Sequence, residues 1–165
     1  MHRQSGLSLI ECAIATAVVA LALGAALPSF EEARQRRHLE GIAAQLETDL
    51  QLARSEAVAR LEPVRVSFGT EGAGCYWLHT GERPEAPVCE DQPEALRQVR
   101  LPEGSGLQLR SNSASMLFDP VKGTVTPTGT VKLHSPLGRV HLVVNVMGRV
   151  RSCTPDGALP GLPRC

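Results

Sequence analysis

Residues 6–28 read GLSLIECAIATAVVALALGAALP, and this stretch decides how the rest of the chain is arranged. From Leu7 to Leu27 the run is apolar, interrupted chiefly by Ser8, Glu11, Cys12 and Thr16. As a helix rising ~1.5 Å per residue it extends roughly 30 Å, the thickness of a bilayer's hydrocarbon core. The residues before it, MHRQSG, are short and basic at Arg3. An ordinary secretory signal places its small-residue cleavage site after the apolar run, whereas here the small residue, Gly6, precedes it. Cleavage at Gly6 therefore leaves the helix attached. Glu11 is a second anomaly, because an unpaired carboxylate inside a bilayer is strongly disfavoured. A cut after Gly6 creates an α-amino group at Leu7, and a neighbouring subunit shifted along the helix axis offers that amine to Glu11.

Pro28 is expected to end or kink the apolar stretch. Beyond it, Leu39, Ile42, Ala43, Leu46, Leu50, Ala53 and Ala57 recur at helical spacing, with Glu40, Glu47, Asp49, Arg54 and Glu56 assigned to the opposite, solvated face. Pro63 closes this helix. From Val64 the period falls to two, in segments at 64–68, 75–78, 96–101, 107–110, 115–118, 130–134 and 140–146, punctuated by Gly, Pro and Asn. Together these predict an α+β chain in which a long N-terminal helix, half transmembrane and half amphipathic, packs on an antiparallel β-rich head. The divisions read as a leader at 1–6, a transmembrane helix at 7–28, an amphipathic stalk helix at 29–62, a β-rich head at 63–147 and a cationic tail at 148–165.

The formal net charge is +0, which removes any bulk electrostatic reason to expect a strongly nucleic-acid-binding protein. The charge is nevertheless segregated. Seven acidic residues face three arginines between Gly69 and Glu103, whereas six basic residues (Lys122, Lys132, Arg139, Arg149, Arg151, Arg164) stand against Asp156 alone from Val121 onward. Cys12 lies in the apolar run, and the other four cysteines form two local pairs, Cys75 with Cys89 and Cys153 with Cys165. Three connectivities exist for four cysteines, and loop-closure entropy favours the near-neighbour one. Disulfides imply an oxidising compartment, so the head is expected outside the cytoplasm. With aromatic residues at only 3%, the core is aliphatic and thin, and each disulfide is expected to contribute about 2–4 kcal/mol. His79, His134 and His141 lack metal-ligand spacing, and no nucleophile elbow, zincin motif or phosphate loop is present, so neither an enzyme nor a cofactor or metal site is expected.

Gly6-Leu7-Ser8-Leu9-Ile10-Glu11 resembles the type IV prepilin signal, in which a membrane peptidase cuts after glycine and methylates the new N-terminus. The resemblance implies cleavage between Gly6 and Leu7, N-methylation of Leu7 and a filament-assembly role for Glu11. Leu7 stands where most pilins have phenylalanine, and Cys12 where most have leucine. The stretches at 118–133 and 139–153 are similar to the GspH/FimT family of minor pilins and pseudopilins. Within that family, the FimT branch carries a Gly-Arg-x-Arg motif that contacts DNA in natural transformation; here it stands as Gly148-Arg149-Val150-Arg151, with Arg139 and Lys132 placed to widen the patch. The implied partners are prepilin peptidase, other pilins or pseudopilins, the inner membrane and DNA. The implied protein is a minor pilin anchored in the inner membrane, with its head in the periplasm or in a pilus. The alternative is a structural GspH-like pseudopilin of a type II secretion system, or a pilus-priming pilin, that never touches DNA.

Gly6→Ala is expected to block processing. On a denaturing gel the variant should migrate above the mature wild-type protein, and identical migration of the two would remove the prepilin interpretation.

Overall fold

The computed structural model of the protein describes residues 8–81, 89–157 and 159–165; the leader at 1–6 and the cleavage and methylation residue Leu7 lie outside them. The chain forms two compact units, Met1–Arg37 and His38–Cys165. One helix, α1 (Leu9–Arg60), contributes to both. It continues through Pro28 as one helix, as the single long helix read from the sequence requires, the proline costing a backbone bond within it.

In the first unit, apolar side chains are exposed around the helix, among them Leu9, Ile10, Ile14, Val18, Val19, Leu21 and Leu23. A helix apolar on all sides suits a lipid environment, and by length and composition this one is a candidate membrane anchor. Its first turn is capped locally: the Ser8 backbone N–H donates to Glu11 Oε2 at 3.0 Å, the backbone half of a capping box.

In the second unit, α1 buries Leu39, Ala43, Leu46, Leu50, Ala53 and Ala57, a stripe repeating every three or four residues. The helix stops at Arg60, followed by Leu61 in the left-handed conformation (φ 57°) and then Pro63, which cannot extend it. The strands that follow are β1 (Val64–Gly69), β2 (Cys75–Thr80), β3 (Arg97–Arg100), β4 (Gln108–Ser111), β5 (Ser115–Phe118), β6 (Val125–Thr126), β7 (Gly129–Ser135), β8 (Gly138–Val144) and β9 (Val150–Cys153). Among the described residues they form two antiparallel sheets, ordered β3-β2-β1-β5-β6 and β4-β7-β8-β9. Two of these strands were not anticipated. β6 is two residues long, and β9 lies within the segment assigned to the tail, so residues 150–153 are a strand of the head.

The inner faces of both sheets converge on the buried stripe of α1. Val66, Phe68, Tyr76, Leu78, Met116 and Phe118 come from the first sheet, and Leu109, Val131, Leu133, Val140, Leu142 and Val144 from the second. The core is therefore less aliphatic than expected, since Phe68, Tyr76, Trp77 and Phe118 are all buried; each fully buried leucine adds on the order of 2 kcal/mol beside them. The first sheet is covered on its outer face too. Cys75, at the start of β2, is disulfide-bonded to Cys89, and the two pack with Trp77 and Ala95 in a small second cluster. β1, central between β2 and β5, is buried along its whole length. At the end of β9, Cys153 is bonded to Cys165, while Thr154 N–H donates to Pro163 O (2.9 Å) and Cys165 N–H to Thr154 O (3.2 Å), folding the tail back on the strand end.

Asp49 departs from its expected place on the solvated helix face, being only 2% exposed. The Tyr76 hydroxyl donates to Asp49 Oδ2 at 2.7 Å and Arg97 Nε lies 2.8 Å from the same carboxylate, so α1 is pinned to β2 and β3 by charge-assisted bonds. Burial, reinforced by the bond to Asp49, pushes the Tyr76 phenol well above its usual range, so it stays a donor at any physiological pH. Asp49→Ala leaves the Tyr76 hydroxyl buried without its acceptor and is expected to destabilise the head by about 2–4 kcal/mol, against about 1 kcal/mol for Tyr76→Phe. Thermal unfolding under oxidising conditions checks this; equal effects of the two variants would remove the pin.

Candidate functional site

The Gly148-Arg149-Val150-Arg151 motif lies at the turn between β8 and β9. Asn145 organises that turn: its backbone N–H donates to Arg149 O (3.1 Å), its Oδ1 accepts from Arg149 N–H (2.9 Å), and its carbonyl accepts from Gly148 N–H (2.9 Å). Gly148 is buried with φ +71°, and a Cβ there would lie 2.8 Å from Gly123 O and 3.1 Å from Arg54 Cδ. Only glycine satisfies both the left-handed backbone and that close approach. Gly123 belongs to the neighbouring turn, where Asp119 Oδ1 accepts from the N–H groups of Val121 (2.9 Å) and Lys122 (2.7 Å). Those two bonds hold the Asp119 carboxyl below its usual range. Between β6 and this turn, Val125 N–H donates to Val146 O at 2.9 Å and ties the two sheets together.

The turn presents Arg149 and Arg151 in an exposed position on either side of Val150, which points into the core. Each arginine borders its own cleft. Arg149 lines an open cleft of about 830 Å³ with Gln51, Arg54, Ser55 and Val58 of α1 and with Met147. Arg151 lines a smaller one of about 170 Å³ with Val143, the Cys153–Cys165 disulfide and Arg164. Among the described residues, neither arginine forms an ion pair with a described carboxylate. Ser152, one step along, turns inward and donates to Glu47 of α1, fixing the strand against the helix.

Lys132 and Arg139 lie further along the outer face of the second sheet. Lys132 is opposite Arg110 on β4 and His141 on β8, while Arg139 is opposite His134. Arg139 is partly engaged already, with its Nε 3.1 Å from Asp156 Oδ2. Asp156 is held down at about 2 by the Thr154 hydroxyl and then by Arg139, so it remains ionised. The same face lowers two histidines: half-burial comes first for both, followed for His134 by Arg139, Lys132 and Arg110, and for His141 by Lys132, His134 and Arg139, with Asp156 opposing. Sequence reading did not single out Arg110 and gave no binding role to Arg54, His134 or His141. The last two stand two residues from Lys132 and Arg139 respectively, a period-two signal whose meaning depends on strand register.

Glu11, expected to act in assembly, lies in the first turn of α1, bonded to Ser8 as described, and the neighbouring Cys12 is exposed with a free thiol. Gly6 and Leu7 lie outside the described residues.

Similar proteins place this architecture. The family described as type II transport protein GspH matches residues 43–148, a span that ends at the glycine of the motif and leaves Arg149 and Arg151 outside it. The pilin-like protein PilA1 of Thermus thermophilus is 29% identical over 154 residues, covering 88% of this chain and 96% of the relative. In structure, the chain is similar to the type IV minor pilin FimU of Pseudomonas aeruginosa in two crystal forms. One has a TM-score of 0.53 at 20% identity over 70% of this chain and 88% of that one. The other has a TM-score of 0.51 at 19% identity over 71% and 94%. At such identities the likeness concerns the fold, and the family match carries the assignment: the chain belongs to the GspH family of type IV pilin-like proteins.

Proposed function

We propose that the protein is a minor pilin of the inner membrane, assembled in or with a type IV pilus, whose periplasmic or pilus-borne head binds extracellular DNA non-specifically for uptake. Prepilin peptidase matures it by cutting between Gly6 and Leu7 and methylating Leu7, and Glu11 then accepts the amine of another pilin. The role is structural and binding rather than catalytic. The observation that carries the DNA reading is the exposure of Arg149 and Arg151 on either side of a buried valine, without a described carboxylate partner, at a turn whose backbone Asn145 locks. A turn with a fixed backbone presents two guanidinium groups to phosphates with less ordering left to lose. Lys132 and Arg139 extend the contact, Arg139 the less because Asp156 competes for it. The disulfides and the candidate anchor support that compartment.

A second reading is favoured by the family match itself, whose description names type II transport: a structural pseudopilin that never meets DNA. The head, residues 38–165, has a core of its own and is the material for the test. It should bind random-sequence duplex DNA with a Kd of roughly 10⁻⁴–10⁻⁶ M, weakening steeply between about 50 and 200 mM salt. Joint replacement, Arg149→Ala with Arg151→Ala, should weaken binding about tenfold or more and reduce the log–log salt slope by about two. Undiminished binding by the double variant rejects the named site; no binding by the wild-type head at low salt favours the pseudopilin.

A further inference from the structure

The outer face of the second sheet contains more than the residues so far assigned to DNA. Its inward positions, Leu109, Val131, Leu133, Val140, Leu142 and Val144, are buried in the core, so the alternate positions share the opposite face. Register then sets them in rows. Arg110 on β4, Lys132 on β7 and His141 on β8 are cross-strand partners in one row. With adjacent strands about 4.8 Å apart, that row is about 10 Å long. The next row sets Gln108, His134 and Arg139 side by side, and in the other direction Val143 is opposite Arg151. Four permanent cations and two histidines thus occupy one face, and the acidic group that acts on it among the described residues is Asp156, bonded to Arg139. Arg110 is anchored rather than mobile, its guanidinium donating to Leu109 O (3.0 Å) and Thr70 O (3.4 Å).

We propose that this sheet face is a polyanion-binding surface continuous with Arg151, in which Arg110 and Lys132 hold phosphates and His134 and His141 each take up a proton as the polyanion docks. The inference rests on the DNA reading and deepens it. The physical reason is linkage. Without ligand, half-burial and the cations around them keep both imidazoles neutral near neutrality: Arg110, Lys132 and Arg139 face His134, and Lys132, His134 and Arg139 face His141, with Asp156 the counter-term. A phosphate strand laid across the face replaces that repulsion with attraction and favours the charged form. Any group that gains protons on binding makes binding tighten as pH falls, by at most about tenfold per pH unit for each proton. The sign is fixed: affinity rises toward acid, the reverse of a surface whose carboxylates dominate.

The test uses the full chain in a non-ionic detergent and a random-sequence DNA duplex as probe. Affinity should rise roughly tenfold from about pH 7.5 to about pH 5.5, and calorimetry in two buffers of different ionisation enthalpy should show about one to two protons taken up per protein bound. His134→Gln with His141→Gln should abolish most of both effects, and Arg110→Ala with Lys132→Ala should weaken binding about tenfold at both pH values while lowering the salt slope by about two. Zero proton uptake by the wild type, or a pH dependence unchanged in the histidine double variant, overturns the inference. Should Arg149→Ala with Arg151→Ala abolish binding while Arg110→Ala with Lys132→Ala leaves it intact, the DNA reading stands and the sheet face is excluded. Absence of wild-type binding at both pH values removes the two together.

Discussion

Burial of one stripe of α1, from Leu39 to Ala57, is the constraint from which the rest of the head follows. The stripe is narrow, rich in alanine, and touched by the inner faces of two separate sheets. A helix and a single sheet of this size would leave a large apolar face wet. Two sheets meeting on one helix solve that with short strands and few aromatic residues, and the Asp49 carboxylate between Tyr76 and Arg97 adds direction to an otherwise non-directional contact. The remaining outer faces then differ. That of the first sheet is covered by the Cys75–Cys89 disulfide and Trp77, whereas that of the second lies open enough to display charge.

This difference accounts for the charge segregation within a chain of zero net charge. Acidic residues concentrate where a loop covers the first sheet, and there some are consumed structurally: Glu71 accepts from the Cys89 backbone N–H, and Arg100 pairs with Asp91 while donating to Cys89 O. Cations concentrate on the second sheet, where Asp156 is their counter-charge. Net charge therefore hides the local field over one sheet face.

The helix and most strands were legible because each depends on a short-range period: three or four residues for Leu39 to Ala57, two for the strands of the head. Strands β6 and β9 were not, since two residues carry no period and Val150-Arg151-Ser152-Cys153 has too few apolar positions to announce itself. Asp49 was misplaced because a carboxylate at helical spacing from other polar residues is ordinarily solvated, and what buries it is a tyrosine and an arginine far along the chain. The arginines of the motif were visible in sequence. The row that joins Arg110, Lys132 and His141 was not, for it exists only once β4, β7 and β8 are paired in register.

The motif's glycine and its arginines answer to different demands. Gly148 is required by the fold whatever the protein binds: its backbone is left-handed, and Gly123 and Arg54 leave no room for a side chain. The arginines face no such demand, since Val150 supplies the packing between them and both guanidinium groups are exposed. A larger residue at 148 would therefore disturb the junction of the two sheets, where Val125 bonds to Val146, and would report on stability rather than on DNA. Replacement of the arginines alone isolates binding from folding. The four-residue signature is thus two separate statements, one about how β8 and β9 are joined and one about what the joined edge touches, and only the second carries information about function.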